Sequence, residues 1–345
     1  MSPPVKNIYY MLSYAFYSLN FKEYKKVASE EFDNIYELFS ELLIIALNKQ
    51  IKQGLYRDYI EVDETTSSIR GKINITESIN ELSFINKKLN CTYDEFSVNS
   101  DLNKIIKTTL TILLKESIIK KHKRGIKNIL LYFRDVDILD TNNINWQIRY
   151  DRNNQDYRMI IGICYLTLKG LLQSEKKGDK KLMEFFDDQR MSRLYEKFIL
   201  NYYRKEHKKN NIKANPRQIE WKLDDEVTYM LPVMQSDITL EYEDRILIID
   251  AKYYSSTTQS KNDTRTIHSP NLYQIFTYVK NKQAGEVDKT VSGMLLYART
   301  DEEVQPEQRY SMSGNQIIVQ TLNLNQDFKD IKKQLDDIVE EYLIA

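Results

Sequence analysis

The sequence contains few of the residues that build metal clusters and nucleotide-binding loops. Its 345 residues include two cysteines and three histidines, which are Cys91, Cys164, His122, His207 and His268. They are far apart and show no ligand spacing, which argues against a structural zinc site. Only nine glycines are present, and none lies in a Gly-x4-Gly-Lys-Ser/Thr arrangement. Without this P-loop, any nucleotide-driven movement must come from another chain.

Excess charge and long apolar runs are also missing. The 50 basic and 50 acidic residues cancel, so contact with nucleic acid must be local or shared with a partner. No apolar run approaches the roughly 20 residues that span a bilayer. The start, Met1-Ser-Pro-Pro-Val-Lys, lacks the apolar core of a signal peptide. We therefore expect a cytoplasmic protein without membrane contact.

The length and the hydrophobic pattern predict two domains, residues 1–180 and 185–345. The polar run from Ser174 to Lys181 is the best linker candidate. Before it, helices alternate with strands, which predicts an α+β N-terminal domain. We expect helices over 7–20, 32–53, 102–121, 126–133 and 156–173, and strands over 58–63, 68–75 and 91–96.

Two basic patterns in this first part allow structural interpretations. Arg70 and Lys72 surround Gly71, which marks either a tight turn or a contact point for a partner or a phosphate. The turn is favoured because glycine most often marks special backbone. The run Lys120-Lys-His-Lys-Arg124 is typical of a helix C-terminus, where the dipole favours cations.

The second part predicts a compact α/β domain. A helix around Glu196 precedes two β-rich runs, Ile238 to Tyr242 and Ile246 to Tyr253. The polar stretch 255–269 is either exposed chain or a flap that faces a substrate. Ser269-Pro270 then begins a helix to about Lys280. Two strands, over 291–297 and 316–324, and a helix over 327–344 complete the domain.

The two β-rich runs are predicted to form a hairpin around Glu243-Asp244. With a loop of two or four residues, Asp237 lies opposite Asp250, although like charges in that position destabilise a ladder. Lys252 shares the face of Asp250 because side chains alternate along a strand. Two carboxylates and a lysine can hold a divalent cation and an attacking water. The alternative is structural, since many strands end in aspartate and many Asp–Lys pairs are only solvated edges.

The order of polar residues around this hairpin resembles a PD-(D/E)xK nuclease core. Glu196 lies on a helix, Asp237 opens a strand, Asp250-Ala-Lys252 lies on the next strand, and Gln274-x3-Tyr278 lies on the following helix. The residue before Asp237 is Ser236, where that motif has proline. Several elements in this order are more specific than the hairpin alone.

A more detailed resemblance extends over nearly the whole chain. The segments that resemble the McrC family, the endonuclease subunits of McrBC restriction systems, are Val5-Lys-Asn-Ile-Tyr-Tyr-Met-Leu-Ser-Tyr-Ala15, Ile69-Arg-Gly-Lys-Ile73, Asn103-Lys-Ile-Ile-Lys107, Leu194-Tyr-Glu-Lys-Phe198, Ile246-Leu-Ile-Ile-Asp-Ala-Lys-Tyr-Tyr254 and Asn271-Leu-Tyr-Gln274. The resemblance implies an N-terminal domain that binds and activates a GTPase. It also implies a C-terminal PD-(D/E)xK restriction-endonuclease-like domain, with a mixed sheet flanked by helices.

The resemblance also implies a cofactor and roles for the site residues. Asp237 and Asp250 would ligate Mg²⁺ together with the Ala251 carbonyl, and Glu196 would help directly or through water. Lys252 would orient or deprotonate the nucleophile. Two helix residues would hold the DNA backbone or the lysine, namely Gln274 and Tyr278.

The implied partners are a McrB-type AAA+ GTPase hexamer, which binds GTP, and double-stranded DNA with modified cytosine. Two alternatives stay open at this point. The chain could be a non-catalytic activator and assembly subunit of the GTPase, or a stand-alone DNA nuclease. The sequence does not identify the modified base, the stoichiometry or the residues that contact the GTPase.

Overall fold

The computed structural model describes residues 3–16, 19, 24, 27, 30–177, 189–225, 227–254, 256–261 and 264–345. Contacts divide the chain into two compact units. We call residues 32–172 the N-terminal unit, and residues 1–31 together with 173–345 the C-terminal unit. Among the described residues, no helix combines the length and the apolar character that a membrane crossing requires.

The N-terminal unit contains several helices and a small sheet. After a first helix, α1 (Val5–Ala15), which is part of the other unit, the elements in chain order are α2 (Ile35–Gln53), β1 (Asp58–Thr66), β2 (Lys72–Ile73), α3 (Ile75–Asn80), β3 (Leu89–Ser97), α4 (Asp101–Leu113), α5 (Lys120–Leu130) and α6 (Tyr157–Lys177). The sheet has the order β1-β3-β2 and is antiparallel. Helix α2 begins where the Asn34 side chain accepts hydrogen bonds from the backbone N–H groups of Tyr36 and Glu37.

The turn interpretation of Gly71 agrees with the structure. Gly71 has φ +58°, and a Cβ there would lie 2.3 Å from the carbonyl oxygen of Thr92. Both the left-handed backbone and the close approach require glycine. Arg70 lies over the ring of Tyr93, with the guanidinium carbon 5.7 Å from the ring centre.

The predicted helix over 102–121 is wrong in its second half. Helix α4 ends at Leu113, and the basic run opens α5 at Lys120 instead of closing α4. Packing against α2 decides this arrangement. His122 is buried, with Nε2 3.0 Å from Glu41 Oε2, and a Cβ on Gly125 would lie 2.8 Å from Ile44 Cδ1. These contacts outweigh the unfavourable placement of cations at a helix N-terminus.

The predicted linker over 174–181 is only partly described. Helix α6 continues to Lys177, so the first residues of that stretch are helical, and residues 178–188 lie outside the described part. The boundary between the units, at 172/173, is near the predicted one.

The C-terminal unit contains the larger sheet. Its elements are α1, α7 (Gln189–Glu206), β4 (Lys213–Asn215), β5 (Gln218–Ile219), β6 (Met234–Gln235), β7 (Ile238–Tyr242), β8 (Arg245–Lys252), β9 (Thr258–Lys261), β10 (Thr264–Ile267), α8 (Ser269–Ala284), β11 (Thr290–Ala298), β12 (Gln308–Met312), β13 (Asn315–Leu322) and α9 (Phe328–Val339), followed by a π-helical turn, Glu340–Ile344. The described sheet has the order β12-β13-β11-β8-β7-β4. Strands β8, β11 and β13 are parallel, whereas β7 and β12 are antiparallel to their neighbours, so the sheet is mixed as predicted.

The prediction that residues 1–31 belong to the N-terminal domain differs from this division. Helix α1 packs along α7, and its Tyr14 ring lies 5.7 Å from the ring of Phe198. The Asn7 side chain donates to the carbonyl oxygens of Leu324 and Gln326. Aromatic contacts and hydrogen bonds with residues far along the chain decide where α1 belongs.

Strand β8 and helix α8 form the centre of this unit. Residues 246–251 of β8 are all buried, which explains why the run Ile246-Leu-Ile-Ile shows no alternation of apolar and polar residues. One face of β8 shares a buried cluster with α8 and the neighbouring strands, and this cluster includes Ile246, Ile248, Ile275, Val279, Val291, Leu295, Ile317 and Val319. This cluster packs β8 against α8 and the neighbouring strands.

Candidate active site

The β7–β8 hairpin has the register that the sequence predicts. Tyr242 pairs with Arg245 across a two-residue loop, and Ile238 pairs with Ile249. Glu243 in the loop has φ +49°. The same register places Asp237, directly before β7, opposite Asp250. Two acidic residues therefore face each other at the open end of the hairpin, opposite its loop.

Lys252 neutralises part of this acidic pair. Its Nζ lies 2.9 Å from both carboxylate oxygens of Asp250 and donates a hydrogen bond to Oδ1. Asp250 is 2% exposed, and the Lys252 side chain is 17% exposed. Burial opposes the charge on Lys252, but the carboxylates of Asp250 and Asp237 outweigh it and raise the pKa of Lys252. The lysine is therefore a cation in the resting site.

Asp237 is the most perturbed acid in the site. Its Oδ2 accepts a hydrogen bond of 3.1 Å from the backbone N–H of Ala251. Burial, followed by repulsion from Asp250 and Glu196, raises the pKa of Asp237 to about 8. Without a cation, this carboxyl holds its proton near neutral pH.

Two residues of α8 continue the chain of contacts. Lys252 Nζ donates to Gln274 Oε1 at 3.4 Å, and Gln274 Nε2 donates to the Tyr278 hydroxyl at 2.9 Å. Helical spacing predicts that Gln274 and Tyr278 lie together on the face of the helix opposite the buried one. They do lie together, but that face is not the exposed one. Tyr278 is 8% exposed and packs in the cluster with Ile275 and Val279. The polar atoms of both side chains therefore form hydrogen bonds within the site, with Lys252 and with each other.

Glu196 approaches the same site from α7. It is half-buried, and burial raises its pKa, with Asp250 acting in the same direction and Lys252 opposing. Among the described residues, no group of three or more His, Cys, Asp or Glu side chains is close enough to hold a metal ion. The structure places Asp237 opposite Asp250, and Lys252 in contact with Asp250. Glu196 influences Asp237 through its charge.

Glu302 is a nearby acid that the sequence does not single out. It follows β11 and contacts the chain that leaves β8, through Ser256, Thr257 and Thr258. The acidic run Asp301-Glu-Glu303 follows a buried strand, and this pattern indicates residues at the end of that strand. Nothing in the sequence separates Glu302 from its two acidic neighbours.

The raised pKa of Asp237 predicts a pH-dependent stability difference in the metal-free protein. Between about pH 4, the pKa of an unfolded aspartate, and the folded pKa of about 8, the folded state holds a proton that the unfolded state lacks. This proton stabilises the folded state. The stabilisation is fully present below the unfolded pKa of about 4 and is lost as the pH rises through the folded pKa of about 8. Asp237→Asn does not titrate, so its melting temperature relative to the wild type should increase from about pH 5 to about pH 9.

Scanning calorimetry in the presence of a chelator measures this difference. Asp244→Asn, on the exposed loop of the same hairpin, is the matched control and should show a constant offset. A relative melting temperature of Asp237→Asn that is the same at both pH values would contradict the raised pKa.

Comparisons with known proteins agree with the predicted resemblance. Residues 5 to 298 match the family described as McrBC 5-methylcytosine restriction system component. The chain is 29% identical over 348 residues to the type IV methyl-directed restriction enzyme EcoKMcrBC of Escherichia coli (strain K12), a match that covers 99% of this chain and 98% of that protein.

Two solved structures from Thermococcus gammatolerans are also similar. The refined half-complex from the tetradecameric assembly of McrB AAA+ hexamers with bound McrC matches with a TM-score of 0.46 and 16% identity, over 97% of this chain and 76% of that chain. The McrBC complex solved by cryo-EM matches with a TM-score of 0.41 and 18% identity, over 59% of this chain and 58% of that chain.

The family match runs through both compact units and includes all the predicted site residues, from Glu196 to Tyr278. It covers far more than half of the chain. The chain belongs to the McrBC 5-methylcytosine restriction system component family.

Proposed function

We propose that this chain is the Mg²⁺-dependent DNA endonuclease subunit of a methylcytosine-dependent, GTP-driven restriction complex. In this proposal the C-terminal unit is a PD-(D/E)xK nuclease domain that hydrolyses phosphodiester bonds. The N-terminal unit binds the AAA+ GTPase subunit and stimulates it.

The observation that carries the proposal is the opposed acidic pair with its lysine. Asp237 faces Asp250 across the β7–β8 ladder, and Lys252 Nζ lies 2.9 Å from Asp250. Like charges in a directly opposed pair cost stability, and burial increases that cost. Such a costly arrangement is typical of a functional site, because groups with perturbed pKa values concentrate where chemistry occurs.

The donor set fits Mg²⁺. This ion takes carboxylate oxygens from one or two residues and keeps several waters. Asp250 Oδ2 is buried, and its contact at 2.9 Å is the ion pair with Lys252 Nζ. In an antiparallel ladder a residue directs its N–H and its C=O toward the same neighbour. Since the Ala251 N–H points to Asp237, its carbonyl faces the same side, where it can act as a third ligand.

Each side chain then has a defined task in hydrolysis. Mg²⁺ at Asp237 and Asp250 would lower the pKa of a water and stabilise charge on the phosphate. Asp237 must first release its proton, which cation binding favours. Lys252 orients the attacking water and offsets charge that develops on the phosphate. Gln274, which donates to Tyr278 and accepts from Lys252, holds the lysine in place and offers its amide to the DNA backbone.

Glu196 has a supporting role in this proposal. Its raised pKa and its repulsion of Asp237 show that it shares the field of the site. It would take part through a bound water or by direct ligation after a movement of its side chain.

The surface of the N-terminal unit supports its role in partner binding. Large apolar side chains are exposed along the small sheet and the segment that joins β2 to β3, namely Tyr59, Ile75, Ile79, Leu82, Phe84, Ile85 and Phe96, with exposures of 51–71%. Exposed apolar patches mark interaction surfaces. The chain also lacks a P-loop, so GTP hydrolysis must be the task of the partner.

The test is plasmid cleavage with Mg²⁺ and GTP, using methylated and unmethylated DNA, with and without the GTPase subunit. We expect cleavage that requires the methyl group, GTP, Mg²⁺ and the partner. Rates of GTP hydrolysis are measured in the same mixtures.

Other results would favour the two alternatives. Cleavage by this chain alone would identify a stand-alone nuclease. Stimulated GTP hydrolysis without any cleavage would identify an activator and assembly subunit. Either result would refute the proposed function.

A further inference from the structure

The polar stretch after the site, predicted as exposed chain or a flap, forms a β-hairpin. Strands β9 and β10 pair antiparallel, with Thr258 opposite Ile267. We call the described residues 256–261 and 264–268 the arm. It begins only a few residues after Lys252, so the strand that carries the site continues directly into it. His268 Nε2 lies 3.2 Å from the Ser256 carbonyl oxygen, which joins the two ends of the arm.

Glu302, which follows β11, anchors the first residues of the arm by hydrogen bonds. Its Oε2 accepts from the backbone N–H of Thr257 at 2.6 Å and from the hydroxyl of Thr257 at 2.7 Å. The Thr300 hydroxyl lies 3.1 Å from the same oxygen. Its Oε1 lies 2.9 Å from Ser256 Oγ and 3.0 Å from Thr258 Oγ1. One carboxylate therefore holds three consecutive residues of the arm.

Glu302 makes this attachment as an ionised carboxylate. Its partial burial opposes ionisation, but the donors from Thr257, Ser256 and Thr258 outweigh burial and lower the pKa of Glu302 to about 2. Thr257 is fully buried, so its N–H has no water to replace the carboxylate. Because an isolated two-stranded hairpin is only marginally stable in water, the arm needs such an anchor.

The composition of the arm suits a phosphate backbone. Eight of the fifteen residues 255–269 are serine or threonine, and the stretch contains Lys261 and Arg265 against Asp263. Arginine, lysine and hydroxyl side chains are among the groups that proteins use to contact DNA phosphates. The Arg265 side chain is 45% exposed, and its Nη1 lies 3.6 Å from Glu302 Oε1. A guanidinium has five N–H donors, so contact with Glu302 leaves others for a phosphate.

We propose that the arm contacts the backbone of the DNA strand beside the scissile phosphate, and that Glu302 is the positioning residue that fixes the arm for this contact. Arg265 is the direct phosphate contact. The proposal rests on the proposed function, since it takes DNA as the substrate of the neighbouring site.

The test measures DNA affinity independently of cleavage. Fluorescence anisotropy follows binding of an unmethylated labelled duplex to the assembled complex without Mg²⁺, over a series of salt concentrations. The variants are Arg265→Gln, Glu302→Ala and Glu302→Gln. Glu303→Ala, at the exposed neighbouring position, is the matched control.

We expect Arg265→Gln to lower the affinity about fivefold and to reduce the slope of log K against log salt by about one, because one phosphate contact is lost. Glu302→Ala should lower the affinity about tenfold, since a loose arm weakens several phosphate contacts together. Glu302→Gln keeps an oxygen for the Thr257 N–H and should recover most of that loss. The control should bind as the wild type does.

Unchanged affinity and salt slope in both Arg265→Gln and Glu302→Ala would overturn the proposal. A loss in Glu302→Ala that only matches its unfolded fraction by circular dichroism, with Arg265→Gln unchanged, would show a purely structural role and also overturn it. A wild-type complex that binds DNA but does not cleave it with Mg²⁺ and GTP would refute the nuclease function, while the affinity comparison would still decide the role of the arm.

Discussion

Asp250→Asn is expected to lower DNA cleavage by about a thousandfold, because in the proposed mechanism it removes a metal-binding carboxylate and with it several kcal/mol of transition-state stabilisation. Asparagine has the shape of aspartate but offers one neutral oxygen instead of two anionic ones. It can neither hold the cation with Asp237 nor neutralise Lys252. The measurement is plasmid cleavage by the complete complex under single-turnover conditions.

The folded structure should survive this substitution. The charge of Asp250 raises the pKa values of Asp237 and Glu196, so its removal eases the ionisation of both while Lys252 loses a partner. These effects oppose each other, and circular dichroism should show an unchanged fold. Stimulation of the GTPase should also persist.

Asp244→Asn is the matched control, since Asp244 lies on the same hairpin, exposed at its far end. It should cleave at the rate of the wild type. Cleavage by Asp250→Asn within about threefold of the wild type, a difference below 1 kcal/mol, would remove Asp250 from the site.

Gly293→Val is expected to lower the free energy of unfolding of the C-terminal unit by about 3 kcal/mol, the upper range for overpacking a core. Gly293 lies on β11 where α8 crosses the sheet. A Cβ there would lie 2.6 Å from Val279 Cγ2 and 2.8 Å from Ile275 Cγ1. The helix would have to move away, and Gln274 on the same helix would move with it. Cleavage should therefore fall as well.

Tryptophan fluorescence can measure the unfolding of this unit alone. The two tryptophans lie in different units, Trp146 in the N-terminal unit and Trp221 in the C-terminal unit. In a Trp146→Phe background, a urea titration then follows Trp221, which packs against the cluster under α8.

Gly285→Ala, at the end of α8, is the matched control. A Cβ there would lie 3.0 Å from Cε of Lys222, the far end of a flexible side chain. This change should alter the free energy of unfolding by less than about 1 kcal/mol. Equal effects of the two substitutions would show that the close approach of α8 to β11 does not contribute to stability.

The hairpin and its residues could be predicted because their causes are local. The apolar run from Ile246 to Ile249 predicts a buried strand, and the polar residues 243–244 predict the turn. Together they determine the register, which the structure confirms. The alternation of side chains then places Lys252 beside Asp250, as the 2.9 Å contact shows.

The face of α8 could not be predicted from helical spacing. Gln274 and Tyr278 are polar enough to be read as solvent residues, yet Tyr278 is buried and Gln274 reaches Lys252. Lys252, at the end of β8, is a partner for Gln274, and the sequence of the helix alone does not show it. The break between α4 and α5 has the same origin, since His122 finds Glu41 on another helix.

By itself, the sequence determined the hairpin register and the proximity of Asp237, Asp250 and Lys252, because these depend on neighbours a few residues away. Only the tertiary structure decided that α1 joins the C-terminal unit, that Glu302 holds the arm and that Asp237 keeps its proton to about pH 8. These properties depend on burial and on charges from distant segments, which act only after the chain has folded.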